Sequence, residues 1–213
     1  DGVTRNYMPP KKQRKASLPS FPPIDLSLPD SNELEISLFG PGVGECIVVH
    51  VGEGAWIVVD SCLDPETKMP AALVYLNKLK VDTHSAVKRI VVTHWHSDHI
   101  RGIAELAQHC TEANIVVPLA FSKDEYTRLF TVYDNSVLLD DRRKVKIREI
   151  VDLLNILKSK RESDPRYNGI IEPTKCNSIV YRNNIGSVEA LSPSNAMVSQ
   201  SLALIGNLLP KSN

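Results

Sequence analysis

The sequence predicts a layered α/β domain, and three observations lead to that fold class. Short runs rich in β-branched residues come first and are separated by turns that contain glycine. Strand-like runs then alternate with stretches of helical spacing. The chain has 213 residues, of which 42% are hydrophobic, enough for one domain with its own core. Strands that first pair locally and then alternate with helices are typical of a sheet covered by helices.

The first 32 residues differ in composition from the rest of the chain. They contain six of the 14 prolines and the basic cluster 11–15, but few apolar residues that could offset the entropy of ordering. We therefore predict that residues 1–32 form a tail or linker and that residues 34–213 form the domain. For the basic cluster, a solvated linker is favoured over a nucleic-acid site.

Strands and helices are predicted in order from residue 34. β-branched runs bounded by turn residues predict strands at 34–39, 46–51, 55–60, 89–93, 115–117, 178–181 and 187–191. Glycine turns join the first three into a meander, and the turn 183–186 joins the last two. Helical spacing predicts helices after Pro70, at 103–107, from the capping box 122–125, from Asp140 or Asp141, and at 198–209.

Three of the six histidines and an aspartate follow the predicted strand 89–93, in the order H-x-H-x-D-H. Alternate residues at a strand end point the same way, so His94 and His96 can reach one ion. Asp98 and His99 come where the chain turns into a helix and face a neighbouring position. Imidazole and carboxylate ligands suit zinc, with iron or manganese as alternatives. The motif thus predicts two adjacent metal positions, at which water is activated and two oxygens are clamped.

Asp98 is also predicted to be catalytic, because a carboxylate beside the metals can orient the nucleophile or accept its proton.

The segment from Thr93 to Gly102, T-H-x-H-x-D-H-x-x-G, resembles the signature of the metallo-β-lactamase fold superfamily. Residues 42–49 resemble the glycine-rich turn and strand that open many members. Residues 57–61 resemble the following strand, whose terminal Asp60 supports the metal loop from behind the ligands. Residues 190–193 resemble a strand end common in the branch related to DNA-uptake channel hydrolase domains. The resemblance covers residues 34 to about 195.

This resemblance implies an αββα sandwich with two metal ions, usually zinc, at one sheet edge. It also implies hydrolysis of esters, thioesters, lactams or phosphodiesters, and the fold alone does not choose among these. A complete family site adds a third histidine, a bridging aspartate after a later strand and a last histidine. After His109 this chain has no histidine. We therefore expect the chain to hold the N-terminal half of the sandwich and the start of the second half.

Three explanations for the missing ligands stay open. The favoured one places them beyond Asn213. The second is a single metal that is bound weakly with substitutes such as Cys176 or Glu172. The third is a degenerate, non-catalytic relative.

The remaining histidines and cysteines are not predicted to be ligands. His50 is expected to be a core histidine with its hydrogen bonds satisfied, His84 to lie in a polar loop and His109 near a helix end. Cys62 stands where many members have glycine and is expected to pack. The four cysteines are scattered without C-x-x-C, which argues against a zinc ribbon, a dithiol redox motif and a disulfide framework.

Composition limits the partners. The formal net charge is zero, which gives no general attraction to nucleic acid or an anionic membrane. No apolar run reaches membrane-spanning length and no signal peptide is recognised, so a cytoplasmic location is expected. The oligomeric state is not predicted.

The leading function hypothesis is a metal-dependent hydrolase that uses zinc-activated water. The basic face predicted for the helix near 142–161, together with the DNA-uptake resemblance, leans slightly towards phosphodiester substrates and hence towards nucleic acid. The alternative is a non-catalytic scaffold of the same fold that serves as an interaction module. A redox di-iron member ranks last, because nothing in the chain suggests a flavin partner domain.

Overall fold

The structure is a computed structural model that describes residues 26–40, 45–94, 96–122, 141–163 and 171–208. Its strands are β1 Leu34–Phe39, β2 Cys46–Val51, β3 Trp56–Val59, β4 Val87–Val91, β5 Asn114–Pro118, β6 Ile171–Thr174, β7 Ser178–Arg182 and β8 Ser187–Ala190. Its helices are α1 Ala71–Lys78, α2 Thr83–Ala86, α3 Ser97–Ile100, α4 Ile103–His109, α5 Asp141–Ser163 and α6 Asn195–Leu208, with a 3-10 turn at Leu119–Ser122.

A mixed sheet of six strands forms the centre, in the order β1-β2-β3-β4-β5-β6. The first three strands are antiparallel, as the predicted meander requires, and β3 to β6 run parallel to one another. Strands β7 and β8 form a separate antiparallel pair. The predicted α/β fold class is thus confirmed.

Helices cover one face of the central sheet, and the β7-β8 pair lies on the other. Side chains alternate along β2, so Cys46 and Val48 pack with the helices while Val49 and Val51 face Tyr181 and Val188. Strand β3 is buried on both faces through Trp56, Ile57 and Val58. Each such large apolar side chain stabilises the fold by about 1.5–3 kcal/mol. The layers agree with the metallo-β-lactamase sandwich over the N-terminal part of that fold.

Two elements were missed by the sequence reasoning. Helix α2 contains His84, which was predicted to lie in a loop, and the side chain of Asp82 caps this helix by accepting from the His84 amide at 3.2 Å. Strand β6 was missed because it has only four residues and contains Pro173. Proline is tolerated there because β6 is an edge strand.

The prediction for His50 was only half right. The side chain is 2% exposed, as expected for a core position. Its Nδ1, however, has no hydrogen-bond partner among the described residues. The imidazole instead packs against the Trp56 ring, with 4.8 Å between ring centroids. The Trp56 ring buries the imidazole but provides no hydrogen-bond acceptor for Nδ1.

Two predictions fall largely outside the described residues. These are the tail 1–32, described only from residue 26, and the helix expected from 122–125, described only at Ser122. The division into a tail and a domain stays a prediction.

Candidate metal centre

The candidate site lies where β3 and β4 end. These strands are parallel and pair Val59 with Val91, so their carboxyl ends meet at one edge of the sheet. Asp60 leaves the end of β3 there, and Thr93 and His94 leave the end of β4. Ligand sites are common at this edge of α/β sheets because loops from neighbouring strands converge on it.

Asp60 organises the site through both of its carboxylate oxygens. Oδ1 accepts a hydrogen bond from the Thr93 amide at 2.7 Å, and Oδ2 accepts from the Thr93 hydroxyl at 2.5 Å. Nδ1 of His99 lies 2.8 Å from the same Oδ2. Asp60 itself is 2% exposed and has a positive φ of 57°, a conformation that aspartate tolerates better than most residues. A buried carboxylate with three donors ties the two strand ends together.

This network determines which ring nitrogen of each histidine is available to bind a metal ion. His99 donates its Nδ1 proton to Asp60, which leaves the Nε2 lone pair available. The single hydroxyl proton of Thr93 is used on Asp60, so Thr93 Oγ1 accepts from His94 Nδ1 at 2.9 Å. His94 therefore also presents Nε2. The rings of His94 and His99 are only 3.9 Å apart between centroids.

The other two motif residues adjoin this pair. The His96 ring is 5.0 Å from the His94 ring, and Asp98 Oδ2 is 3.9 Å from His99 Nε2. His94 is thus nearer to His99 than to His96, whereas the sequence paired it with His96. The reason is that α3 begins directly after His96, and its first turn, closed by the bond from the His99 amide to the His96 carbonyl, brings His99 back over the strand end.

Backbone contacts hold the motif segment in place, and the sequence reasoning missed them. The Ser61 amide donates to the His99 carbonyl at 2.7 Å, and the Ser61 hydroxyl donates to the Arg101 carbonyl at 2.8 Å. The Glu45 amide donates to the Asp98 carbonyl at 3.2 Å. Ser61 immediately follows Asp60, so one short segment positions both His99 and the helix turn that carries it.

Burial lowers the pKa of the His94 imidazole, and the neighbouring His99 lowers it further. A neutral imidazole is the form that binds a metal.

The donors at this edge fit a metal ion. Among the described residues, ligand atoms of Asp60, His94 and His99 lie within 4.8 Å of one another. Imidazole nitrogen and carboxylate oxygen are the ligands that zinc and related transition metals prefer. Asp60 is better suited to support than to binding, because both its oxygens already accept hydrogen bonds from Thr93 or His99.

The substitutes considered for the missing ligands lie outside this group. Glu172 binds Arg89 at 3.0 Å and Asn114 at 2.6 Å, which occupies both its oxygens. Cys176 lies between β6 and β7, where its thiol contacts Asn177. Cys62 is buried and near the Phe39 carbonyl, in agreement with a packing role. His109 is exposed, and its Nδ1 contacts the Glu105 carbonyl of its own helix.

A cavity of about 610 Å³ adjoins the site between the two sheets. Thr93 and His94 lie in its wall, which otherwise consists mainly of apolar side chains such as Val59, Val91 and Val188.

In the part of the chain that the structure describes, we find no helix with the length and apolar character needed to cross a bilayer.

Comparison with known proteins places the chain in a family. A family model described as the metallo-beta-lactamase superfamily matches residues 39–180. The solved structures include a similar chain, the metallo-beta-lactamase SMB-1 bound to 2-mercaptoethanesulfonate, with 13% identity and a TM-score of 0.40 over 89% of this chain and 79% of that one. A search of curated proteins finds no match. Because the family model spans about two thirds of the chain and includes the whole H-x-H-x-D-H motif, the chain belongs to the metallo-beta-lactamase superfamily.

Proposed function

We propose that this chain is a metal-dependent hydrolase whose metal is held at the carboxyl ends of β3 and β4. The observation that carries the proposal is that His94 and His99 bind Thr93 and Asp60 through Nδ1, so that their Nε2 atoms take no part in those two hydrogen bonds. The proposed ligands are the four members of the motif: His94, His96, Asp98 and His99. Zinc is the proposed metal, with iron or manganese as alternatives, and it supplies Lewis-acid activation of water when bound.

Asp60 acts in this proposal as the support for His99. A histidine that donates its second ring proton to a carboxylate is fixed in tautomer and orientation, and is a stronger ligand. Asp60 makes this contact at 2.8 Å from a buried position. The Thr93 hydroxyl extends the same support to His94.

Asp98 is proposed to handle the proton of the attacking water. Its side chain is 39% exposed, which leaves it accessible to water and substrate, and its Oδ2 lies 3.9 Å from His99 Nε2. A carboxylate beside the proposed metal ligands can accept a proton from the nucleophile and pass it to the leaving group.

A phosphodiester is the proposed substrate class. The described outer face of α5 carries Arg148 and Lys158, which are 79% and 76% exposed, and could attract phosphates. Acidic residues one turn away, Asp152 and Glu162, offset part of that charge. Lys160 does not belong to this face, because its ammonium donates to the Ala107 carbonyl on α4. The substrate class and the metal dependence therefore require separate measurements.

The test measures zinc bound per chain together with hydrolysis of bis(p-nitrophenyl) phosphate and p-nitrophenyl acetate. We expect the wild type to bind zinc and to lose turnover when a chelator removes it. His96→Ala should lower zinc affinity by more than the roughly 10–100-fold typical of losing a partner outside the ligand set. The matched control, His109→Ala, removes an exposed imidazole that contacts the Glu105 carbonyl of its own helix, and should change neither quantity.

The outcomes separate the parts of the proposal. Unchanged turnover in His96→Ala would contradict the hydrolase. Metal-dependent hydrolysis of the acetate ester with none of the phosphodiester would overturn the substrate class and leave the hydrolase standing. A wild-type chain that binds no zinc would favour the non-catalytic scaffold, which is the alternative. A cytoplasmic location stays a prediction.

A further inference from the structure

Helix α5 contacts the motif segment through a partly buried acidic side chain, Glu149. Glu149 Oε1 accepts a hydrogen bond from the Gly102 amide at 3.2 Å. Gly102 is the last residue of the motif and lies between α3, which carries Asp98 and His99, and α4. The contact joins positions 47 residues apart in sequence, and no role was predicted for Glu149.

Gly102 lies where the backbone leaves no room for a side chain. Its φ is +76°, a conformation that other residues rarely adopt. A Cβ on Gly102 would lie 2.8 Å from Leu63 Cδ2 and 3.1 Å from Pro70 Cγ. The backbone is therefore packed tightly against the start of α1 on one side, and on the other side its amide faces Glu149.

Glu149 occupies this position despite an electrostatic cost. Burial raises the pKa of its carboxyl group, while the bond from Gly102 opposes that shift. Desolvating a carboxylate is unfavourable unless hydrogen bonds compensate. Removing its side chain would in turn leave the Gly102 amide without this acceptor.

We propose that Glu149 is a positioning residue for the metal site. By accepting a hydrogen bond from the Gly102 amide, it fixes the backbone turn that carries His99. This inference rests on the proposed metal-binding function. The Ser61 amide and hydroxyl donate hydrogen bonds to the carbonyl groups of His99 and Arg101. Glu149 accepts a hydrogen bond from the amide of Gly102, so the turn is held from two sides. Glu149 touches neither metal nor substrate in this account and acts only through the backbone that carries His99.

The test compares Glu149→Ala with Glu149→Gln by measuring zinc affinity in competition with a chromophoric chelator. The alanine variant loses the acceptor, and we expect its zinc affinity to fall about tenfold, the lower end of the range for partners outside the ligand set. The glutamine variant keeps a carbonyl oxygen at the same reach and should restore affinity to within about twofold of the wild type. Lys160→Met is the matched control, because it removes a hydrogen bond from α5 to the Ala107 carbonyl on α4 without touching Gly102.

Equal affinities in the wild type and in Glu149→Ala would overturn the inference but leave the proposed function intact. Equal losses in the alanine, glutamine and Lys160→Met variants would also overturn it, since they would reflect general loosening of α5. A wild-type chain that binds no zinc would overturn both proposals. If the alanine variant does not fold, amide hydrogen exchange of the metal-free wild type decides: a protected Gly102 amide supports the bond, and free exchange overturns it.

Discussion

Two polar clusters lie along strand β4. They differ in whether nitrogen atoms of their side chains remain outside the hydrogen bonds of the cluster. At Arg89, the guanidinium binds Glu172 at 3.0 Å, the Val180 carbonyl at 3.1 Å and the Lys88 carbonyl at 2.8 Å. The other carboxylate oxygen of Glu172 accepts a hydrogen bond from the Asn114 side-chain amide at 2.6 Å. At the carboxyl end of the same strand, Asp60 is equally well satisfied, but the histidines bound to its network each keep one ring nitrogen outside these bonds.

The difference separates a structural cluster from the proposed metal site. The Arg89 cluster joins β4, β5, β6 and β7, and its charges balance internally. The Asp60 cluster brings the His94 and His99 rings to 3.9 Å between centroids, and their Nε2 atoms take no part in its hydrogen bonds. Imidazole nitrogen atoms outside such bonds can bind a transition metal, which is why this cluster, and not the one at Arg89, is the proposed metal site.

The largest effect is expected from Asp60→Asn. The amide group can accept from the Thr93 backbone, but its NH₂ then faces the donors Thr93 Oγ1 and His99 Nδ1. We expect zinc affinity to fall by about 100-fold, the upper end for a residue that supports a ligand. The free energy of unfolding should fall by about 1–3 kcal/mol, because buried groups lose partners. Chelator competition and urea denaturation measure the two quantities. Wild-type zinc affinity in this variant would contradict the proposed role of Asp60 as a support for the metal ligands.

The Arg89 cluster provides the converse test through Glu172→Gln. This change keeps the shape and removes the charge that faces Arg89. We expect a loss of about 1–3 kcal/mol in the free energy of unfolding, as for a charged hydrogen bond, and no change in zinc affinity. Urea denaturation measures the first and chelator competition the second. Reduced zinc affinity would instead revive Glu172 as a substitute ligand.

A smaller effect is expected in the pH dependence of stability of Glu149→Gln. Burial raises the pKa of Glu149, the Gly102 bond and Arg101 oppose the shift, and Asp152 and Glu105 add to it. An acid with a raised folded-state pKa binds its proton more tightly when folded, so its ionisation lowers stability as pH rises through that interval. The glutamine variant avoids this loss, and its stability relative to the wild type should increase as the pH rises above 4.5, the ordinary pKa of a glutamic acid side chain. The opposite trend in urea denaturation would contradict the burial of this carboxylate.

Much of the fold and part of the site follow from local sequence pattern. The strand ends, the H-x-H-x-D-H spacing and the helical turn after His96 are short-range features, so the four proposed ligands could be named from the sequence alone. Asp60 was recognised only through family resemblance, since nothing local links it to His99, 39 residues away.

The supports of the site could not be predicted, for a physical reason. Ser61 and Glu149 reach the motif across 40 and 47 residues, respectively. Serine and glutamate are common at surfaces, so their identity carries no signal until the fold brings them to the turn. The same limit hid β6, whose Pro173 argues locally against a strand. It also hid the environment of His50, which packs against Trp56 and whose Nδ1 has no hydrogen-bond partner in the part of the chain that the structure describes.

The central claim is that His94 and His99 are held with Nε2 free for a metal, and long-range ¹H–¹⁵N NMR of the imidazoles tests it most directly. In the metal-free chain, the account predicts that both rings carry their proton on Nδ1. Added zinc should then shift the Nε2 resonances of both residues, while the His109 resonances stay in place. Rings protonated on Nε2, or Nε2 resonances that zinc leaves unchanged, would contradict the account.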